Sequence, residues 1–171
     1  FLWSLVVFVE NFSITDSFAC ISYVVIFSLV YHAVGQISGQ HQYLWTIVFA
    51  TYGSDTGAYF VGRAIGKHKL NPRLSPKKTI EGSIGGIVCG GLLGLAYAYC
   101  VQIPYALPHL ALMSFVLATT GQIGDLTFSS IKRTFEVKDY SQIFPGHGGV
   151  LDRFDSIIFN SMILGFLLTL L

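Results

Sequence analysis

Three carboxylates, Asp125, Asp152 and Asp155, are the residues of this sequence best suited to chemistry at a bound cation. Asp152 and Asp155 stand three apart in LDRFD, a spacing that puts both on one helical face, and Asp125 follows TTGQIG at the end of an apolar run. Carboxylates gathered at the edge of an apolar region need cations. Hard divalent ions such as Mg2+ take carboxylate oxygens and leave positions open for substrate phosphates. Zinc would ask for Cys or further His beside His147, and none is near in the sequence. The plainer alternative is that Arg133 and Arg153 neutralise these acids structurally.

Between the carboxylates lie the groups that would face a polyphosphate. The turn PGHGG, Pro145 to Gly149, offers backbone N–H groups unhindered by a Cβ, including those of Gly148 and Gly149. It is not a Walker loop, since no GKS or GKT follows. His147 has the chemistry of a phosphate donor or a general acid or base, although a lone loop histidine is more often neither. Lys132, Arg133 and Lys138, mixed with Glu136 and Asp139, read alone as a solvated helix face. Between two carboxylate positions and beside a glycine turn, they suit the charge of a triphosphate.

A second polar segment, RAIGKHKLNPRLSPKKTIE from Arg63 to Glu81, holds six positive charges. With Pro72 and Pro76 it cannot be one continuous helix. It reads either as a polybasic loop on anionic headgroups or as a site for a phosphorylated substrate, with Lys77, Lys78 and Thr79 near the positive N-terminus of the next helix. Asp55 lies eight residues before Arg63 inside an apolar run. Such an acid must be paired, hydrated or bound to a cation. An ion pair with a loop Lys or Arg, a ligand or metal contact, and a proton relay all remain open for it.

The elements that must position these groups are apolar. Of 171 residues 53% are hydrophobic and 11% charged, and the mean hydropathy is +0.63, outside the range of a soluble globular domain. Runs at about Ser17 to Val34, Tyr43 to Gly62, Ser83 to Val101 and Pro108 to Asp125 approach the length of a spanning helix. With partial runs at both ends, the expected fold is an all-α, polytopic transmembrane bundle of about six spans, two of them truncated. It forms one domain over residues 1–171, with polar loops at about 63–81 and 126–155. The opening FLWSLVVFVE lacks the basic region and cleavage site of a signal peptide, and the reading is of a fragment lacking N-terminal spans.

Charge sets the expected orientation. All ten Lys and Arg fall in Arg63 to Lys78 or Lys132 to Arg153, so both segments should face the cytoplasm. An even number of crossings separates them, so the two predictions agree. The connectors on the other side, Gly35 to Gln42 and Val101 to Pro108, contain no Lys or Arg. Gly82, Gly86, Gly90 and Gly94 recur every fourth residue and predict a close helix contact, with Gly53 and Gly57 as a shorter copy. Cys20, Cys89 and Cys100 have no CxxC spacing and read as small apolar residues.

The run S-x-I-K-R-x4-K-D-x-S-x2-F-P-x-H-G-G-V-x-D-R-F-D, from Ser129 to Asp155, resembles the signature of the phosphatidate cytidylyltransferases. SDTGAYFVGRAIGKHKL and LSPKKTIEGSIGG resemble other segments of that family, so the likeness covers about residues 50–160. The resemblance implies a polytopic enzyme that transfers CMP from CTP to phosphatidic acid, giving CDP-diacylglycerol and pyrophosphate. It implies that Asp125 and Asp152 hold the catalytic metals, Mg2+ (or Mn2+) and a monovalent cation such as K+, and that the enzyme is a homodimer. Within it, Asp155 would support the metal ligands and act with Lys138 as a catalytic residue. Lys132, Arg133, His147, Gly148, Gly149 and Arg153 would contact CTP, and Ser75, Lys77 and Lys78 the lipid phosphate. A bilayer is the expected environment, a bacterial inner membrane with the site facing the cytoplasm, and no nucleic-acid partner is expected. A CTP-dependent polyprenol kinase and a cation or proton transporter using Asp55 and Asp125 are the alternative readings.

Overall fold

The computed structural model describes residues 7–10, 13–137, 140–141, 149 and 151–170, without the side chains of Asp152 and Arg153. Five long helices and one hairpin follow in chain order: α1 (Ile14–Ile37), α2 (His41–Ile65), β1 (Lys69–Asn71), β2 (Ser75–Thr79), α3 (Ile80–Cys100), α4 (Leu107–Thr134) and α5 (Leu151–Leu170). The four apolar runs of the sequence correspond to α1 through α4, and α5 begins two residues after Gly149.

Local chemistry explains several boundaries. Ser13 and Asp16 form a capping box at the start of α1, with Asp16 N–H donating to Ser13 Oγ at 3.2 Å and Ser13 N–H to Asp16 Oδ2 at 2.8 Å. Thr79 caps α3 by accepting from Gly82 N–H at 3.2 Å. Helices α3 and α4 both end in a Schellman motif. Ile103 N–H reaches Ala98 O at 3.1 Å past Gln102 (φ 54°), and Val137 N–H reaches Lys132 O at 3.0 Å past Glu136 (φ 56°).

The glycine stripe is a helix contact. A Cβ at Gly82 would meet Ala58 O at 2.8 Å, one at Gly86 would meet Ser54 O at 2.6 Å, and one at Gly94 would meet the Ala50 Cβ at 3.1 Å. Each step of four forward on α3 is a step of four back on α2, so the two helices run antiparallel with their backbones touching. Helix α4 packs on α3, α5 on α4, and α1 on α5, where Ala33 faces Gly165. The C-terminal half of α2, the hairpin, the start of α3, the C-terminal half of α4 and the start of α5 therefore share one end of the bundle. This agrees with the even number of crossings between the two basic segments. The apolar core, including Tyr43, Ile47, Ala98, Met113, Leu117 and Leu164, fills the opposite end.

Between these ends lies a polar layer that faces inward. Gln122 Nε2 donates to Ser54 Oγ at 2.8 Å and Ser83 O at 3.1 Å, while Ser83 Oγ donates to Gln122 Oε1 and Ser54 Oγ to Ala118 O at 3.1 Å. The outer surface is apolar, with Phe18, Val24, Trp45, Phe60, Leu92 and Phe166 all exposed. Polar side chains inside and large apolar ones outside suit a bundle solvated by hydrocarbon. Two of the described helices, α1 and α3, have the length and apolarity of a membrane span. Helices α2 and α4 have the length and carry the inward polar residues, and the apolar part of α5, Phe154–Leu170, is shorter.

Two features differ from the sequence reading. The segment Arg63 to Glu81, expected to be a loop in an all-α fold, contains an antiparallel hairpin pairing Lys69 with Thr79 and Asn71 with Ser75. Its turn is held by Leu74 N–H donating to Asn71 Oδ1 at 3.2 Å. Helix α4 also runs nine residues beyond Asp125, which therefore stands within a helix rather than at its end. The apolar run stops at Asp125, but the helical hydrogen bonds do not depend on apolarity.

Candidate active site

Strand β2 carries Lys77 and Lys78 to the shared end of the bundle because Pro72 and Pro76 forbid helix there and Asn71 turns the chain back. Beside the hairpin, α2 and α3 together with Gln122 of α4 line a cavity of about 550 Å³. Its polar wall includes Arg63, Lys77, Lys78, Ser83 and Gln122, and Ala58, Tyr59, Gly62 and Leu70 supply an apolar side. A second cavity of about 350 Å³ opens between α2, α4 and α5, lined by Thr51, Tyr52, Asp55, Asp125, Asp155, Ser156 and Ile157. Asp55 lines both cavities.

Charge is arranged around that junction. The Lys78 ammonium donates to Asp125 Oδ2, joining the hairpin to α4, and its field also acts on Asp55. The ion pair weighed for Asp55 in the sequence thus forms at Asp125, with Asp55 beside it. Asp155 is nearly buried at the start of α5, and its Oδ1 accepts from Ser156 N–H at 2.6 Å. Lys132, also nearly buried, lies with its Nζ 5.4 Å from the centre of the Tyr140 ring and acts electrostatically on Asp155. Tyr140 is itself anchored by its hydroxyl donating to Phe128 O at 3.2 Å.

Of the residues singled out in the sequence, Lys77, Lys78, Asp125 and Asp155 thus line the two adjoining cavities, and Lys132 stands near Asp155. Arg133 is exposed, donating to Val137 O at 3.3 Å, and Ser75 begins β2 outside both cavity linings. Gly149 is buried. The backbone of Asp152 and Arg153 forms the first turn of α5, but their side chains lie outside the described residues, as do Lys138, His147 and Gly148. Sequence reasoning missed Gln122, Ser83, Thr51, Tyr52 and Tyr59 as cavity wall. Gln122 could have been found as a strongly polar side chain in an apolar run.

The acidic cavity offers oxygen donors from Asp55, Asp125 and Asp155 and no thiol or imidazole. That is the donor chemistry of a hard cation. Among the described residues no three carboxylates, histidines or cysteines converge closely enough to enclose an ion. The set therefore fits a cation that completes its shell with water or ligand oxygens.

Residues 3–171 match the model of the Cytidylyltransferase family. The chain is 41% identical over 169 residues to the phosphatidate cytidylyltransferase of Bacillus subtilis, covering 96% of this chain and 63% of that protein. It is 42% identical over 162 residues to the protein of the same name from Staphylococcus haemolyticus, covering 93% and 62%. Over 166 residues it is 42% identical to that of Staphylococcus saprophyticus, again covering 93% and 62%. The chain thus spans slightly under two thirds of the length of these curated relatives, and by its match over nearly every residue it belongs to the cytidylyltransferase family.

Proposed function

We propose that this chain carries the reaction site of a phosphatidate cytidylyltransferase, which transfers CMP from CTP to phosphatidic acid and releases pyrophosphate. The observation that carries the reading is the meeting, at Asp55, of a carboxylate-lined cavity with one that is part basic and part apolar. The first suits a cation with a nucleotide triphosphate, and the second a lipid headgroup whose phosphate meets Lys77 and Lys78. The names of the relatives point to the same substrates.

In this reading a phosphatidate oxygen forms a bond to the α-phosphorus of CTP as the bond from that phosphorus to the bridging oxygen breaks. Pyrophosphate leaves with the electron pair. The attacking oxygen is already anionic, so the chain has to align and neutralise rather than remove a proton. Lys77 and Lys78, with Ser75 at the strand's start, receive the lipid phosphate. Lys132, Arg133, Lys138, His147, Gly148, Gly149 and Arg153 hold the nucleotide. Asp125 and Asp152 would hold Mg2+ or Mn2+ and a monovalent cation such as K+, and Asp155 would support them. Bound there, the cations would offset charge on the leaving pyrophosphate.

We further read the protein as a multi-pass membrane enzyme in which α2, α4 and α5 cross together with α1 and α3. In this reading the site end faces the cytoplasm from a bacterial inner membrane, and the confinement of Lys and Arg to two segments supports that orientation. A homodimer belongs to the same proposal, and native mass spectrometry in detergent would measure it.

The test is incubation of the full-length protein with α-phosphate-labelled CTP, Mg2+ and phosphatidic acid vesicles. Label should enter the lipid while pyrophosphate appears in equal amount. Release of CDP would point to a lipid kinase instead, and no labelled lipid under any cation condition would reject the reading.

A further inference from the structure

Asn160 lies in α5 with none of its surface exposed. Its amide is fully engaged. Nδ2 donates to Thr51 Oγ1 on α2 at 2.8 Å and to Leu117 O on α4 at 2.9 Å, and Oδ1 accepts from Thr120 Oγ1 on α4 at 2.6 Å. One side chain thus binds two neighbouring helices at once. The close approach depends on Gly121, where a Cβ would stand 2.9 Å from Nδ2.

Leucine would fill such a place at less cost, since a buried amide must satisfy every polar atom. What the amide adds is geometry. Three directional bonds hold only at one rotation and one longitudinal setting of α5, whereas apolar packing tolerates sliding.

Each of the three bonded side chains stands about one turn from a carboxylate of the acidic cavity. Asn160 follows Asp155 by five residues, Thr51 precedes Asp55 by four and Thr120 precedes Asp125 by five. At 1.5 Å of rise per residue that is roughly 6 to 8 Å along each helix. Thr51 also lines the cavity itself. A shift of α5 that broke these bonds would carry Asp155 away from Asp55 and Asp125 by the same amount.

We propose that Asn160 is a positioning residue for the carboxylate cavity, holding three helices in the one register at which Asp55, Asp125 and Asp155 line the same cavity. It touches no ligand and acts through Thr51, Thr120 and the Leu117 carbonyl. The inference rests on reading that cavity as a cation site.

The test uses the full-length protein in detergent, with Mn2+ binding followed by electron paramagnetic resonance and competed by Mg2+. Asn160→Leu should weaken Mn2+ binding about tenfold, the low end of what outer partners contribute at metal sites. Thr51→Val, a milder change that guards against misfolding, should weaken it about threefold. The double variant should be no weaker than Asn160→Leu alone, because both remove the same link. In turnover the half-saturating Mg2+ concentration should rise, with kcat at saturating Mg2+ nearly kept. Variants that bind Mn2+ within twofold of the parent while melting earlier would reduce Asn160 to a structural role and overturn the proposal. So would a parent protein that binds no Mn2+. A parent that binds Mn2+ but makes no labelled lipid would instead reject the cytidylyltransferase reading and leave the positioning role standing.

Discussion

Lys78 on the basic hairpin donates its ammonium to Asp125 in the body of α4, so a residue read for lipid phosphate and one read for metal are bonded to each other. Both side chains are near 30% exposed, at 29% and 31%, so the pair is partly screened and contributes on the order of 1 kcal/mol. Lys78→Met should lower stability by about that amount in cation-free buffer, because Asp55, Asp125 and Asp155 then face one another with less compensation. Added Mg2+ should recover most of the loss. Thermal unfolding in detergent with and without Mg2+ measures this, and an equal loss in both buffers would refute the compensation.

Asp125→Asn and Asp152→Asn should each reduce cation-dependent formation of labelled lipid by at least about 100-fold, the scale of losing a charge-stabilising group at a reacting phosphate. Asp125→Asn should also release Lys78 from its carboxylate partner. Near-normal, Mg2+-dependent turnover by either variant would sink the metal assignment.

The glycines of the bundle should separate sharply on substitution. At Gly86 a Cβ would stand 2.6 Å from Ser54 O and 2.8 Å from Gln122 Nε2, so Gly86→Ala should destabilise by about 1 to 3 kcal/mol and disturb the wall of the basic cavity. At Gly35, also helical, nothing lies within 4 Å of the built Cβ. Gly35→Ala should therefore stabilise by about 0.5 to 1 kcal/mol through helix propensity. Equal midpoints for the two variants would contradict the packing described.

Gln102 and Glu136 occupy left-handed positions at helix ends where glycine carries no Cβ penalty. Gln102→Gly and Glu136→Gly should each raise stability by about 0.5 to 1 kcal/mol, with additive effects because they close different helices. A fall in the unfolding midpoint would mean that their side chains make contacts outweighing the backbone strain.

Much of this arrangement was legible in the residues. The spacing of apolar runs located four helices, and the confinement of Lys and Arg to two segments put those segments at one end of the bundle. The four-residue glycine period announced the close contact of α2 with α3. These features are local or periodic, and a period survives as a face whatever packs against it. The hairpin was not legible, since the three residues KLN and the five residues SPKKT show no hydrophobic alternation and each strand exists only by pairing with the other. The continuation of α4 past Asp125 was hidden for a related reason: hydropathy reports where a helix meets an apolar environment, while the helix itself is held by backbone bonds.

By itself, then, the sequence determined the class of fold, the family signature from Ser129 to Asp155 and the set of carboxylates and cations available for chemistry. Only the tertiary structure decided which of them meet. It paired Lys78 with Asp125 across 47 residues, made Asp55 the wall common to two cavities, and set Asn160 against Thr51 across 109 residues. The physical reason is that charge and polarity are properties of a residue, whereas a partner within hydrogen-bond reach depends on how separate helices are rotated and slid against one another. Glycine contacts and buried amides fix that register, and no single segment encodes it.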